Sequence, residues 1–151
     1  MALSEQIQND MKAALLGGNR FEGEVLRGLK AAILNEEVAT GARESGLGDE
    51  QIQVIIAREV KKRRESYKLY IDNDRADLAE NEQREMAVLE TYLPQQLSED
   101  EIRLIAAECV QQLGASSPQQ MGQVIGAVKA KAGMSADGAV IARVVKELLT
   151  Q

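Results

Sequence analysis

Few residues of this chain are equipped for covalent chemistry. The 151 residues include no histidine and a single cysteine, Cys109, so neither a Cys/His nor a Ser/His/Asp nucleophilic centre can be assembled, and a Cys/His metal site is excluded. Cys109 stands at helical spacing from Ile102, Ile105 and Leu113. Because a free cysteine in an apolar stripe usually packs as a small hydrophobe, we predict a buried structural side chain.

Carboxylates offer the one remaining simple route to a metal site. Asp72, Asp74 and Asp77 are close in the sequence and are of the type that hard cations prefer. No glycine stands where a calcium loop would turn, and the order of the residues departs from the EF-hand pattern. We therefore predict a polar turn and a helix-start charge here, with no catalytic residue, no cofactor and no metal.

A second group of residues could meet phosphate. Lys129, Lys131, Arg143 and Lys146 give residues 114–151 a net charge of +2, although the whole chain carries −6. An acidic total argues against a general grip on DNA or RNA, which needs a basic surface. A local contact through these four cations stays open.

The densest basic run is Lys61-Lys62-Arg63-Arg64. On a helix these four side chains point around most of the circumference, so they do not form one stripe. We favour ion pairs with acidic residues near Glu82 and Glu85, each worth about 0.2–1 kcal/mol when exposed. The alternative is a surface that faces RNA through Lys61 and Arg64.

Two glycines, in the spacing Gly122-x-x-x-Gly126, allow two interpretations. The spacing is typical of close approach between helix backbones, although the polar neighbours Gln119, Gln120 and Gln123 rule out a membrane helix. We favour close packing within a helical unit. The alternative is that small side chains keep the start of a helix open to a phosphate or a sugar.

Helices must position all of these residues, because the apolar residues recur at helical spacing throughout and no convincing strand period occurs. The fold class is therefore all-α: an N-terminal helical arm of about four helices followed by a small three-helix C-terminal bundle. The predicted signals in the first part are a stop at Gly17-Gly18, a start at Asn19-x-x-Glu22, a stop near Gly41, an N-cap at Asp49, a turn at Asp72-Asn73-Asp74 and a stop at Pro94. Helices three and four should form an antiparallel hairpin.

The second part carries its own signals. Ser98-x-x-Glu101 forms a capping box, Ser117-Pro118-x-Gln120 opens the next helix and Asp137 caps the last one. Gly114 and Gly133 end the helices between them. With Pro94 as the joint, we predict an N-terminal helical domain of residues 1–94 and a C-terminal tail domain of residues 95–151.

The charges differ between the two sides of this joint. Residues 1–93 contain 13 Lys and Arg against 18 Asp and Glu, whereas residues 94–151 contain 5 against 6. The N-terminus has neither a basic region nor an apolar region of the kind found in signal peptides, and no apolar run reaches the roughly 20 residues that a membrane span needs. We expect a cytoplasmic protein.

Several segments together resemble the GatB/YqeY family. These segments, which cover nearly the whole chain, are Tyr92-Leu93-Pro94-x-Gln96-Leu97-Ser98, Gly114-Ala115-Ser116-Ser117, Met121-Gly122-x-Val124-x-Gly126, Ala136-Asp137-Gly138 and, upstream, Lys61-x-Arg63-x-Glu65-Ser66, Arg75-x-Asp77-Leu78-Ala79-x-x-Glu82 and Glu85-x-x-x-Leu89-x-x-Tyr92.

The resemblance implies a stand-alone protein similar to the helical and tail domains of the GatB subunit of the tRNA-dependent amidotransferase, a carbon–nitrogen ligase. In that enzyme other domains and another subunit carry the catalysis, and the tail domain contacts the elbow of tRNA. Many relatives have a lysine where this chain has Gln123. That departure moves the expected tRNA contacts to Lys129, Lys131, Gly138, Arg143 and Lys146, with Lys61 and Arg64 as secondary candidates.

Two functions follow from this reading. The first is a non-catalytic accessory module that associates with tRNA, with an amidotransferase or another translation-related protein as a further partner. The alternative is a protein–protein adaptor without RNA contact. The local charge of +2 favours the first function, and the overall charge of −6 favours the second; the oligomeric state is open.

Overall fold

The computed structural model describes residues 1–150, and within that range it contains helices and turns but no strand. The predicted all-α fold is confirmed. The chain divides after Leu93 into two compact units, Met1–Leu93 and Pro94–Gln151, called unit 1 and unit 2 below. Among the described helices, none has both the length and the apolar character needed to cross a membrane.

Unit 1 is built from two pairs of neighbouring helices. The pairs are α1 (Leu3–Leu16) with α2 (Arg20–Thr40), and α3 (Asp49–Asp72) with α4 (Ala76–Glu90). Arg63 Nε lies 3.0 Å from Glu85 Oε2. Along the sequence, these two residues lie equally many positions before and after Asp74, which turns the chain with φ 58°. This register is that of the predicted antiparallel hairpin.

The ends of the first two helices agree with the signals in the sequence. The carboxamide of Asn19 accepts a hydrogen bond from the amide of Glu22 at 3.2 Å, which satisfies an orphan donor at the start of α2. Gly41 ends α2 with φ 70°, a left-handed conformation that glycine adopts without strain. Gly17 follows the last residue of α1. These predicted boundaries are confirmed.

Asp49 has a different role from the predicted one. Gly48 is the N-cap of α3, and Asp49 is the first helical residue. The Asp49 carboxylate accepts a hydrogen bond at 3.0 Å from the amide of Leu3, the first residue of α1. The first amide of α1 is therefore hydrogen-bonded by a side chain that is close in space but distant in the sequence. The residues around Asp49 give no sign of that contact.

The end of α4 also differs from the prediction. The helix ends at Glu90, and a turn of Thr91, Tyr92 and Leu93 precedes Pro94. Pro94 has no N–H to donate to the carbonyl of Glu90, four residues earlier, and it disfavours the helical conformation at Leu93, so the proline accounts for an end at Glu90. In this turn the Tyr92 side chain is buried, and its hydroxyl donates a hydrogen bond to the carboxylate of Asp10 on α1.

Unit 2 contains three α-helices and two short 3₁₀ turns. The helices are α5 (Glu99–Leu113), α6 (Met121–Ala132) and α7 (Gly138–Thr150), and the turns are Pro118–Gln120 and Gly133–Ser135. The capping box of Ser98 and Glu101 is present, with hydrogen bonds of 3.1 and 2.9 Å. Gly114 ends α5 with φ 62°. The predicted start and end of α5 are confirmed.

The start of α6 lies later than predicted. Pro118 opens a 3₁₀ turn, and the α-helix itself begins at Met121. The Gln120 carboxamide accepts hydrogen bonds from the amides of Ser116 and Ser117, at 2.8 and 3.3 Å. These contacts stabilise the turn that precedes α6. The capping signal at Ser117 therefore starts the 3₁₀ turn, and the α-helix follows it.

Each unit buries its own apolar core. Cys109 is 1% exposed within the core of unit 2, as predicted. The core of unit 1 contains Leu3, Ile7, Val25, Leu26, Leu29, Ile33, Leu47, Ile52, Ile55, Ile56, Val60, Leu89 and Tyr92, and that of unit 2 contains Ile102, Ala106, Cys109, Val124, Val128, Ile141, Val144, Val145 and Leu149.

Candidate nucleic-acid interface

The side chain of Lys129 lies against the start of α7. A Cβ placed on Gly138 would be 3.7 Å from Lys129 Nζ and 3.6 Å from its Cε. The absence of a side chain at Gly138 therefore leaves the first turn of α7 open beside an ammonium group. Exposed backbone N–H groups and a neighbouring ammonium are the donors that bind phosphate oxygens.

Asp137 also belongs to this helix start. Its carboxylate accepts a hydrogen bond of 2.8 Å from the amide of Ala139, so the predicted cap of α7 is confirmed. The carboxylate already occupies one of the backbone donors at the start of α7, the amide of Ala139. A phosphate at this helix start would therefore depend on Lys129.

Lys146, on α7, is the second exposed lysine of the candidate interface. It lies eight residues after Gly138, or about 12 Å at 1.5 Å per residue. Within residues 1–150, neither Lys129 nor Lys146 has a carboxylate within ion-pair distance. These two ammonium groups are available to an external anion.

Arg143 is engaged by carboxylates of its own unit. Its guanidinium lies 2.7 Å from Glu99 on α5 and 3.5 Å from Glu147 on α7. Arg103 lies 2.6 Å from the same Glu147 and 3.5 Å from Glu99. The four side chains form a charge network between α5 and α7, so the structure places Arg143 apart from the two available lysines.

The network changes the titration of its members. The hydrogen bond from Arg143 lowers the pKa of Glu99, and the hydrogen bond from Arg103 lowers the pKa of Glu147. The guanidinium pKa of Arg143 is raised by the hydrogen bond to Glu99 and by its charge. All four groups stay charged at neutral pH, so the network contributes no net charge.

Lys131 faces α5 instead of α7. Its ammonium donates a hydrogen bond of 3.3 Å to the Gln112 carboxamide and lies 4.0 Å from Glu108. Lys129 and Lys131 therefore extend toward different neighbours of α6. Of the five residues proposed for tRNA contact, the structure brings together Lys129 and Gly138 and places Lys146 further along α7. The other two, Lys131 and Arg143, are engaged by side chains of unit 2.

The basic run of α3 makes ion pairs, as the favoured interpretation expects. Arg63 bridges Glu59 and Glu85, each at 3.0 Å, and Lys62 lies 3.6 Å from Glu59. Lys61 is exposed and Arg64 is half-buried. Neighbouring carboxylates thus neutralise part of this run, and Lys61 is the exposed member of the secondary pair.

The close-packing interpretation of Gly122 and Gly126 is wrong. Both residues are exposed, and no atom of another helix lies within 4 Å of a Cβ placed on either one. The 3₁₀ turn precedes this exposed helix start, so the open-start alternative agrees with the exposure of Gly122.

No group of three or more carboxylate or thiolate side chains that could hold a metal occurs in residues 1–150. Asp77 is instead bound by the guanidinium of Arg75 at 3.2 Å. The hydrogen bond from Arg75 lowers the pKa of Asp77. The acidic segment around Asp74 forms the turn of the α3–α4 hairpin.

Two features of the structure were missed at the level of the sequence. The spacings Glu99 to Arg103 and Arg143 to Glu147 each indicate a pair within one helix, but the cross-helix pairing depends on how α5 and α7 pack. The contact of Tyr92 with Asp10 joins residues 82 positions apart. No local signal could have found that contact.

These observations define a small helical protein with two compact units and an exposed pair of lysines. The model of the family described as Yqey-like protein matches residues 4–149. The chain belongs to the YqeY family.

Curated relatives are yeast proteins called altered inheritance of mitochondria protein 41, mitochondrial. The protein of Kluyveromyces lactis is 27% identical over 81% of this chain and 66% of its own length, and that of Candida glabrata is 29% identical over 81% and 68%. The protein of Eremothecium gossypii is 31% identical over 58% of this chain and 46% of its own length. The chain thus spans about two thirds or less of most of these relatives. Their names place the yeast proteins in mitochondria, so the expected cytoplasmic location of this chain stays a prediction.

Proposed function

We propose that this chain is an accessory module that associates with tRNA through unit 2, with Lys129 and the start of α7 at Gly138 as the first contact. The observation that carries the proposal is the ammonium of Lys129 next to an open helix start, without a carboxylate in ion-pair distance among the described residues. Its family membership supports the assignment, because the resemblance of YqeY proteins to the amidotransferase tail domain implies tRNA contact.

The contact is expected to be modest and sensitive to salt. Two available lysines neutralise about two phosphates, and the log of the affinity falls with the log of the salt concentration at a slope proportional to the number of phosphates neutralised. The total charge of −6 repels a polyanion at long range. Recognition then depends on the local positions of Lys129, Gly138 and Lys146, whereas Arg143 orients α7 through its carboxylate partners.

Binding of tRNA to two matched double variants tests the proposal. Lys129→Glu with Lys146→Glu reverses both available charges in unit 2, whereas Lys12→Glu with Lys68→Glu makes the same change in net charge on exposed lysines of unit 1. We expect fluorescence anisotropy with labelled tRNA at low salt to show at least about a tenfold loss for the unit 2 variant. The unit 1 variant should bind within a factor of about three of the original chain.

Equal losses in the two variants would show that only net charge matters and would contradict the assigned surface. Absence of tRNA binding by the original chain at about 50 mM salt would remove the tRNA proposal altogether. A protein recovered in stoichiometric amount after nuclease treatment, together with that absence, would favour the adaptor.

A further inference from the structure

An open apolar groove runs along the outer side of the α1–α2 pair in unit 1. Its volume is about 560 Å³, within the range of 300–1,000 Å³ of ligand pockets. Its apolar lining is contributed by α1 through Ile7, Met11 and Leu15 and by α2 through Ala31, Ile33 and Leu34. The residues that line the groove all belong to unit 1, whereas those of the proposed tRNA contact belong to unit 2.

An exposed stripe of α2 borders the groove. Arg27, Ala31, Leu34 and Val38 recur at the spacing of one helix face. Leu34 is 43% exposed and Val38 is 59% exposed. Large apolar side chains exposed next to an apolar groove form a patch of the kind that marks an interaction surface.

Two charged side chains of opposite sign flank this stripe on the groove side. Lys30 donates a hydrogen bond to the carboxamide of Gln8, which carries no charge. Glu37 lies seven residues further along α2 and makes no ion pair in the described part of the chain. Arg27, by contrast, is already paired with Glu24 at 3.1 Å. The groove therefore presents one uncompensated charge of each sign, two helical turns apart.

We propose that this face joins two copies of the chain, with the two α2 helices antiparallel across a twofold axis near Leu34. In an antiparallel pair centred there, Lys30 lies opposite Glu37 of the partner subunit, and the symmetry repeats the contact. Leu34 packs near the axis, and the small side chain of Ala31 allows the helices to approach closely. The same patch satisfies both copies, as an isologous interface requires.

A second copy fits this face better than another helix of the chain does. An occupant needs an acid and a base seven residues apart with apolar residues between them. Lys30 and Glu37 enclose Ile33 and Leu34, so α2 is its own complement. Within the other helices, three such pairs have polar residues at the two central positions instead of apolar ones; they are Glu5 with Lys12, Arg58 with Glu65, and Asp77 with Arg84.

Sedimentation velocity of the full chain over a wide range of concentration measures the predicted association. We expect a monomer–dimer equilibrium in the original chain and a monomer in Leu34→Glu, which puts a charge next to the twofold axis. Leu69→Glu is the matched control, because Leu69 is 62% exposed on α3 of the same unit. Circular dichroism checks that both variants remain helical.

A charge swap tests the antiparallel register. Lys30→Glu and Glu37→Lys each replace two attractive contacts by two repulsive ones, so either single variant should weaken the dimer by about tenfold or more. The double variant restores opposite charges and should recover the original dissociation constant to within about threefold. Recovery in the double variant supports the twofold arrangement.

Three results would overturn the proposal. The first is a monomer at every concentration in the original chain. The second is a loss of association in Leu69→Glu as large as that in Leu34→Glu. The third is a failure of the double charge swap to recover the dimer, which would show that Lys30 does not meet Glu37 of the partner subunit.

Discussion

A single side chain, that of Tyr92, joins the turn after α4 to the core of unit 1. The Tyr92 hydroxyl donates a hydrogen bond of 2.6 Å to the carboxylate of Asp10, and the ring is 8% exposed. Burial and the hydrogen bond to Asp10 raise the pKa of Tyr92. The hydroxyl therefore stays protonated and ties the end of α4 to α1.

Tyr92→Phe should destabilise unit 1 because it removes a hydrogen bond to a charged acceptor. Such bonds contribute about 1.5–3 kcal/mol, so the urea midpoint should fall while the ring remains buried. Tyr67→Phe is the control, because the Tyr67 hydroxyl makes no hydrogen bond in the described part of the chain. A similar midpoint for the two variants would show that the contact with Asp10 does not stabilise the unit.

The sequence could predict the helix ends that depend on residues close to one another in the chain. The structure confirms three such helix ends, whose signals span only a few residues: the capping box of Ser98 and Glu101, the cap of Asn19 on Glu22, and the left-handed end at Gly41. Asp49 was predicted to be the N-cap of α3, but that position is Gly48, and the partner of the Asp49 carboxylate is Leu3, 46 residues away. The sequence also proposed Arg143 as a phosphate contact, and its two carboxylate neighbours become visible only when α5 and α7 are packed together.

Between helices, the charge network of α5 and α7 links stability to pH. Glu99 and Glu147 have pKa values lowered from the ordinary 4.5 by their arginine partners. A lowered folded-state pKa means that the unfolded chain binds protons first as the pH falls. The stabilisation is complete above the ordinary pKa and is lost as the pH falls through the lowered values.

Replacing both arginines should therefore matter most at neutral pH. We expect Arg103→Gln with Arg143→Gln to lower the thermal midpoint of unit 2 near pH 7, and the difference from the original chain to shrink between about pH 5 and pH 3. Circular dichroism melts over that range measure it. The same substitutions at Arg20 and Arg43, exposed arginines of unit 1 that make no ion pair in the described part of the chain, serve as the control. A difference that grew at acid pH would contradict the sign of the linkage.

For the chain as a whole, the division after Leu93 separates two apolar cores. Residues 95–151 contain the complete core of unit 2 and the capping box that starts α5. We expect this fragment alone to be helical and to unfold cooperatively in circular dichroism. A fragment without a cooperative transition would show that unit 2 needs residues of unit 1 to fold.

The proposed tRNA contact predicts a specific dependence on salt. Lys129 and Lys146 are the two cations of unit 2 without carboxylate partners in residues 1–150, so the original chain should lose affinity for tRNA with a slope near −2 in a plot of log affinity against log salt. Neutralising both, in Lys129→Gln with Lys146→Gln, should bring that slope close to zero, with each lysine contributing about one. An unchanged slope in this double variant would contradict the assignment of the tRNA contact to unit 2.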